Sequence, residues 1–122
     1  MTTNARSAGE DGVALVEAAF ALPAIALVAW LVLLAGVAGL DHLAVQHAAT
    51  LGARAAAASE GDATAVATAR AAASPRSVDV VIQPTRRAPG ETVVVEVRTQ
   101  RQIGPLGWSA VGRSVARVEP RP

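Results

Sequence analysis

One ionisable side chain stands inside a long apolar run, and it is the first place to look for chemistry in this chain. It is Glu17, within Val13 to Leu40, VALVEAAFALPAIALVAWLVLLAGVAGL, which carries no other charge. A carboxylate at a bilayer centre costs about 2.5–3.5 kcal/mol on insertion scales, so an acidic residue in such a run is a functional candidate by default. Two readings stand side by side. In the first, Ala18 to Leu40 crosses the bilayer without it and Glu17 lies at the water interface. The second turns on Gly12. A cut between Gly12 and Val13 would create an α-amine four residues before Glu17, on the same helix face. The positive end of the helix dipole would favour the carboxylate as well. In an assembly, the amine of one subunit can instead meet Glu17 of a neighbour. Either pairing lowers the cost of holding charge in apolar packing.

The remaining reactive residue types form no catalytic pattern. His42 and His47 lie five apart, off metal-ligand spacing on a helix, and each reads as an exposed or half-buried helix residue. There is no HExxH, no GxSxG and no glycine-rich phosphate loop ahead of a helix start. The other carboxylates are isolated, which gives no acid–base pair. The chain has no cysteine, so disulfides and thiolate metal sites are excluded. We therefore expect no enzyme, no metal and no cofactor. The formal net charge is +1, and the basic residues, all arginine, form no run, so nucleic-acid binding is not expected and the arginines read as solvated surface.

The apolar run itself sets the organisation. Roughly 20 apolar residues cross a bilayer core, and Val13 to Leu40 exceeds that. The leader, Met1 to Gly12, is polar and holds Arg6, Glu10 and Asp11. Acidic residues directly before the run argue against a secretory signal peptide, whose entry is basic; Gly36-Val37-Ala38 offers only a weak small-x-small site. Asp41 and His42 mark the exit from lipid, but LAVQHAATLGARAAAAS continues without proline. Leu40, Leu43 or Ala44, His47, Leu51, and Arg54 or Ala55 recur at spacings of three and four, predicting one helix from Val13 to about Ser59 with that stripe as its contact face. Pro23 predicts a kink, and Gly52 weakens the second half.

Glu60-Gly61-Asp62 interrupts the pattern, with Asp62 as the cap of a second helix over Ala63 to Ala73, ended by Ser74-Pro75. The period then changes to two. Strands are predicted at Val78 to Gln83, at Glu91 to Thr99 and at about Arg113 to Val118, with Gly104 to Gly107 as a loop and Trp108 as an apolar anchor beside it. The fold class is α+β: a long helix, a short helix, and a small antiparallel sheet whose Val93, Val95 and Val97 face packs on the helix stripe. About 80 residues outside leader and run are too few for a large independent core, which favours that packing. The organisation is then 1–12 leader, 13–40 membrane helix, 41–74 helical part outside lipid, and 75–122 small β domain and tail.

Gly12 followed by VALVE, with glutamate at the fifth position of the cut product, resembles the type IV prepilin-peptidase signature. The continuation EAAFALPAIALVAWLVLLAGV and the segment HAATLGARAAA resemble the TadE-like minor pseudopilins of tight-adherence (Flp) pilus systems, with a looser likeness at Gly104 to Leu106. The resemblance covers residues 9 to 58 well. It implies a substrate of a membrane prepilin peptidase, held in the bacterial cytoplasmic membrane as a single-pass protein with its C-terminal domain outside. After cleavage the subunit would join other pilins, pseudopilins and assembly proteins, in the pilus or at its base. Its helix would pack against theirs, with Ala35, Gly36 and Gly39 permitting close approach.

A reading from another class keeps the leader: a signal-anchored extracytoplasmic binding module, held by lipid contact alone and not incorporated in a filament. A domain freed by signal peptidase is the third. The mature N-terminus separates them, as Val13, Met1 or a residue near Gly39.

Overall fold

The computed structural model describes residues 3–120, with side chains from residue 8 onward. The first two leader residues, the side chain of Arg6, and Arg121 and Pro122 of the tail lie outside the described residues. The fold is α+β, as the sequence predicts. Helix α1 spans Thr3–Ala58 and α2 spans Asp62–Ala73; strands β1 (Val78–Gln83), β2 (Thr92–Ile103) and β3 (Leu106–Arg117) follow. The strands form one antiparallel sheet in the order β1-β2-β3, with Val80, Val97 and Gly112 in register across it.

The chain divides into two compact units, one ending at Gly36 and the other beginning at Val37. The first is helix alone. Most of its large apolar side chains are exposed: Leu15 is 74% and Phe20 is 78% exposed. The helix starts ten residues upstream of the expected Val13, because residues 3–12 contain no proline and the hydrogen-bond ladder, once nucleated, propagates through them. Pro23 lies inside α1 and does not end it.

The second unit holds the core. Val93, Val95 and Val97 of β2 and Ile82 of β1 pack on Ala48, Ala49, Ala53 and Ala56 of α1 and on Ala65, Ala69 and Ala73 of α2. The valine face is buried as expected, but the helix meets it with another stripe. Leu40, Leu43 and His47 are exposed, and the contact face is Asp41, Val45, Ala48, Gly52 and Ala56, one residue further along the helix. The reason is distance. A Cβ built on Gly112 of β3 would lie 2.3 Å from the Val45 carbonyl oxygen, and one on Gly52 would lie 3.1 Å from the Ala69 Cβ and 3.2 Å from Val95 Cγ1. Backbones this close admit alanine and glycine but not leucine. Gly52, read as a weak point of the helix, is thus a packing position.

Two further expectations are corrected. Asp62 is the first residue of α2 and not its cap; Gly61 occupies the cap position without a side-chain hydrogen bond, and Asp62 pairs with Arg87. The expected loop at Gly104 to Gly107 is a two-residue hairpin turn, with β2 running on to Ile103 and β3 starting at Leu106. Gly104 at φ +59 supplies the positive φ that tight hairpins need at their first central position. The alternation is hidden there by Gly107 and by polar residues on both strands, so Gln100 to Gly112 reads as loop when it is ladder.

Candidate functional site

The segment expected to be processed lies on α1. Gly12, Val13 and Glu17 are all helical and exposed, and Val13 and Glu17 are one turn apart on the same face. Ala35 and Gly36 are exposed further along, as is Gly39, and a Cβ built on Gly36 or Gly39 would meet nothing within 4 Å. α1 is long and apolar enough to cross a membrane, and none of its apolar window is buried within the chain. These residues share an exposed helix surface, apolar from Val13 onward, that carries one carboxylate and three glycines.

The closest polar constellation was missed by sequence reasoning and lies just past the apolar run. Asp41 is fully buried and accepts four hydrogen bonds. Arg101 of β2 forks onto both oxygens, Nε to Oδ2 at 2.7 Å and Nη2 to Oδ1 at 2.9 Å. Arg76, from the α2–β1 connection, donates Nε to Oδ1 at 2.7 Å. Trp108 of β3 donates its indole Nε1 to Oδ2 at 3.2 Å. The four residues come from four parts of the chain, so one carboxylate ties helix, connection and hairpin together. A side-on guanidinium fork is the strongest geometry available to a carboxylate in protein.

The electrostatics follow from the donors. The Arg101 hydrogen bonds, against the opposing effect of burial and with help from Arg76 and Trp108, lower the Asp41 pKa to about 2, while Asp41 raises that of Arg101. A carboxylate this acidic with its lone pairs engaged is neither a general base nor a proton donor at neutral pH. It is a clamp. Two expectations change accordingly: Arg76 and Arg101 are structural and not merely solvated, and Trp108, expected as an apolar anchor, is tied in through its indole N–H. The one available signal was an aspartate sitting in phase with Val45, Ala48 and Gly52 on the small-residue face of the helix.

His42 and His47 are both exposed, and among the described residues no group of three or more His, Cys, Asp or Glu side chains is placed to hold a metal ion. No protein-family model, curated protein or solved structure matches the chain.

Proposed function

We propose that the chain is a minor pseudopilin of the TadE-like kind, anchored by α1 in a bacterial cytoplasmic membrane. In this reading a prepilin peptidase cuts it between Gly12 and Val13, and it enters assembly of a tight-adherence (Flp) pilus. The observation that carries this is the uncovered apolar helix with Glu17 one turn after Val13. An apolar helix surface that its own chain leaves bare is covered by lipid or by other helices. A subunit that leaves the bilayer exchanges the first for the second. Gly36 and Gly39, with open space where side chains would be, supply the close approach that helix association in lipid uses. The amine released at Val13 supplies a cation for Glu17, in the same subunit or the next.

One observation favours the alternative, a signal-anchored module that keeps its leader. Gly12 and Val13 lie within α1, so a peptidase must unwind the helix to reach the bond. Gly9 and Gly12 ease this, each costing the helix about 1 kcal/mol relative to alanine.

The two readings part in the native host. Under the filament reading, Gly12→Leu leaves the full-length precursor in the membrane. Glu17→Ala is cleaved normally, yet fails to associate with the other pilus subunits, because an ammonium left alone in an apolar bundle costs about 3–5 kcal/mol. Intact-mass measurement of the membrane protein and recovery of pili check both. Equal N-termini for Gly12→Leu and wild type, or normal piliation with Glu17→Ala, would move the assignment to the anchored module.

A further inference from the structure

β3 runs beside the C-terminal half of α1 in a definite order. The Glu119 N–H donates to the Ala57 carbonyl, the Gln46 amide bonds both the N–H and the carbonyl of Arg113, and the Trp108 indole reaches Asp41. Moving back along β3 therefore moves down the helix from Ala57 towards Asp41. The hairpin continues past that level. Beyond the Arg101–Trp108 pair lie Gln102–Gly107 and Ile103–Leu106, which add about 7 Å of strand at roughly 3.3 Å per residue. The tip so passes Asp41 in the direction of Val37 to Leu40, the end of the apolar run.

We propose that this hairpin tip is a second membrane contact. Ile103 and Leu106 enter the interfacial layer of the leaflet that the apolar run leaves, and Trp108, Arg76 and Arg101 lie at headgroup level. Wherever Leu40 leaves lipid, Asp41 is the next residue, so its clamp stands at the membrane surface. The tip suits that place in four ways. Gln102 to Ser109 is uncharged throughout, and Ile103 and Leu106 are 38% and 42% exposed. Ile103 and Leu106 face each other across the last rung of the ladder, and Pro105 at the turn has no N–H to leave unsatisfied, which lowers the cost of reaching the interfacial layer. Two guanidinium groups face one carboxylate and remain partly open, Arg76 at 24% and Arg101 at 37%, which leaves positive charge for lipid phosphates. Trp108 is half-buried, with a ring that favours the same boundary. The inference rests on α1 lying in lipid and not on the filament reading.

The test uses the full chain in phospholipid nanodiscs loaded with one copy each, which leave both faces open to water. The chain has no cysteine, so Leu106→Cys carries a single NBD label, and Val115→Cys, further along β3 and 57% exposed, is the comparison. The label at 106 emits at shorter wavelength, is quenched by lipids with a nitroxide near the headgroup, and is quenched several-fold less by iodide than the label at 115. In a separate unlabelled chain, Trp30→Phe leaves Trp108 as the sole tryptophan, and shallow nitroxide lipids quench it more than deep ones. Equal iodide quenching at 106 and 115, with Trp108 insensitive to lipid nitroxides, overturns the proposal. Shielding of 106 seen only in discs holding several copies assigns the tip to a second copy and overturns it too.

Discussion

The two halves of α1 are both rich in apolar residues and solve opposite problems. Upstream of Gly36 the helix wears leucine, isoleucine, valine and phenylalanine on every side, and nearly all of them are exposed. Downstream it buries alanines and a glycine against its own sheet and leaves Leu40 and Leu43 outside. Hydrophobicity therefore does not distinguish the uncovered half from the core half here; side-chain size does. A helix that must meet lipid needs bulk and no particular shape. A helix that must sit under a three-stranded sheet needs closeness, and small residues supply it.

The largest test of this contrast is removal of the clamp. Asp41→Ala leaves Arg76 and Arg101 without the carboxylate that holds them, and breaking a buried pair from one side costs about 3–5 kcal/mol. In detergent, the second unit loses its sheet while the helical signal of the first unit persists. Thermal unfolding followed by circular dichroism separates the two. A variant that melts like the wild type would show that Asp41 does not organise the second unit.

Close approach gives the next effect. Gly112→Ala places a methyl group where the Val45 carbonyl oxygen is 2.3 Å away, so backbone and not a side chain must move. Overpacking of that kind costs about 1–3 kcal/mol. The change leaves the apolar half of α1 untouched, and a lowered melting midpoint of the β signal alone is the expected result.

What the chain revealed before its structure follows from the same contrast. The apolar run, the valine alternation of β2 and the break at Glu60 to Asp62 are local patterns, and the α+β order follows from them. The helix face was misassigned because leucine carries the larger hydrophobic signal, whereas the sheet selected alanine for size. The hairpin tip hid behind glycine and polar residues. The Asp41 clamp was invisible for another reason: its partners Arg76, Arg101 and Trp108 are distant in sequence, and only the register of β2 with β3 brings the last two together. The proposed processing segment rests on Gly12, Val13 and Glu17, which are neighbours on one helix, and so it needs no long-range contact to be read.

A pH titration sharpens the role of Asp41 without a mutation. Its folded pKa, held near about 2 mainly by the Arg101 fork, lies below its ordinary value of 3.8. A carboxylate with a depressed folded pKa contributes stability that is complete above the ordinary value and is lost as pH falls through the depressed one. The loss therefore falls between roughly pH 4 and pH 2 and amounts to about 2 kcal/mol for this group. Denaturant midpoints of the second unit should be lower at pH 2 than at pH 5 for the wild type, with a smaller difference for Asp41→Ala. Equal differences would mean that other carboxylates carry the acid response.

The smallest effect is the most discriminating, because two forces nearly cancel. In an exposed helix, Gly52→Ala would stabilise by about 1 kcal/mol through helix propensity. Gly52 is buried, and the new Cβ would stand 3.1 Å from the Ala69 Cβ and 3.2 Å from Val95 Cγ1. Val95 Cγ1 can turn aside, but the Ala69 Cβ is fixed to its backbone, so α2 itself must give by a few tenths of an ångström, which offsets the propensity gain. The expected net change is within about 1 kcal/mol of zero, well below that of Gly112→Ala. Gly39→Ala is the control on the uncovered side: its Cβ meets nothing within 4 Å, so propensity acts alone and the helix gains. If Gly52→Ala stabilised the second unit as much as Gly39→Ala stabilises the helix, α1 and the sheet would not be as close as the alanine face requires. The size argument that separates the two halves would then fail.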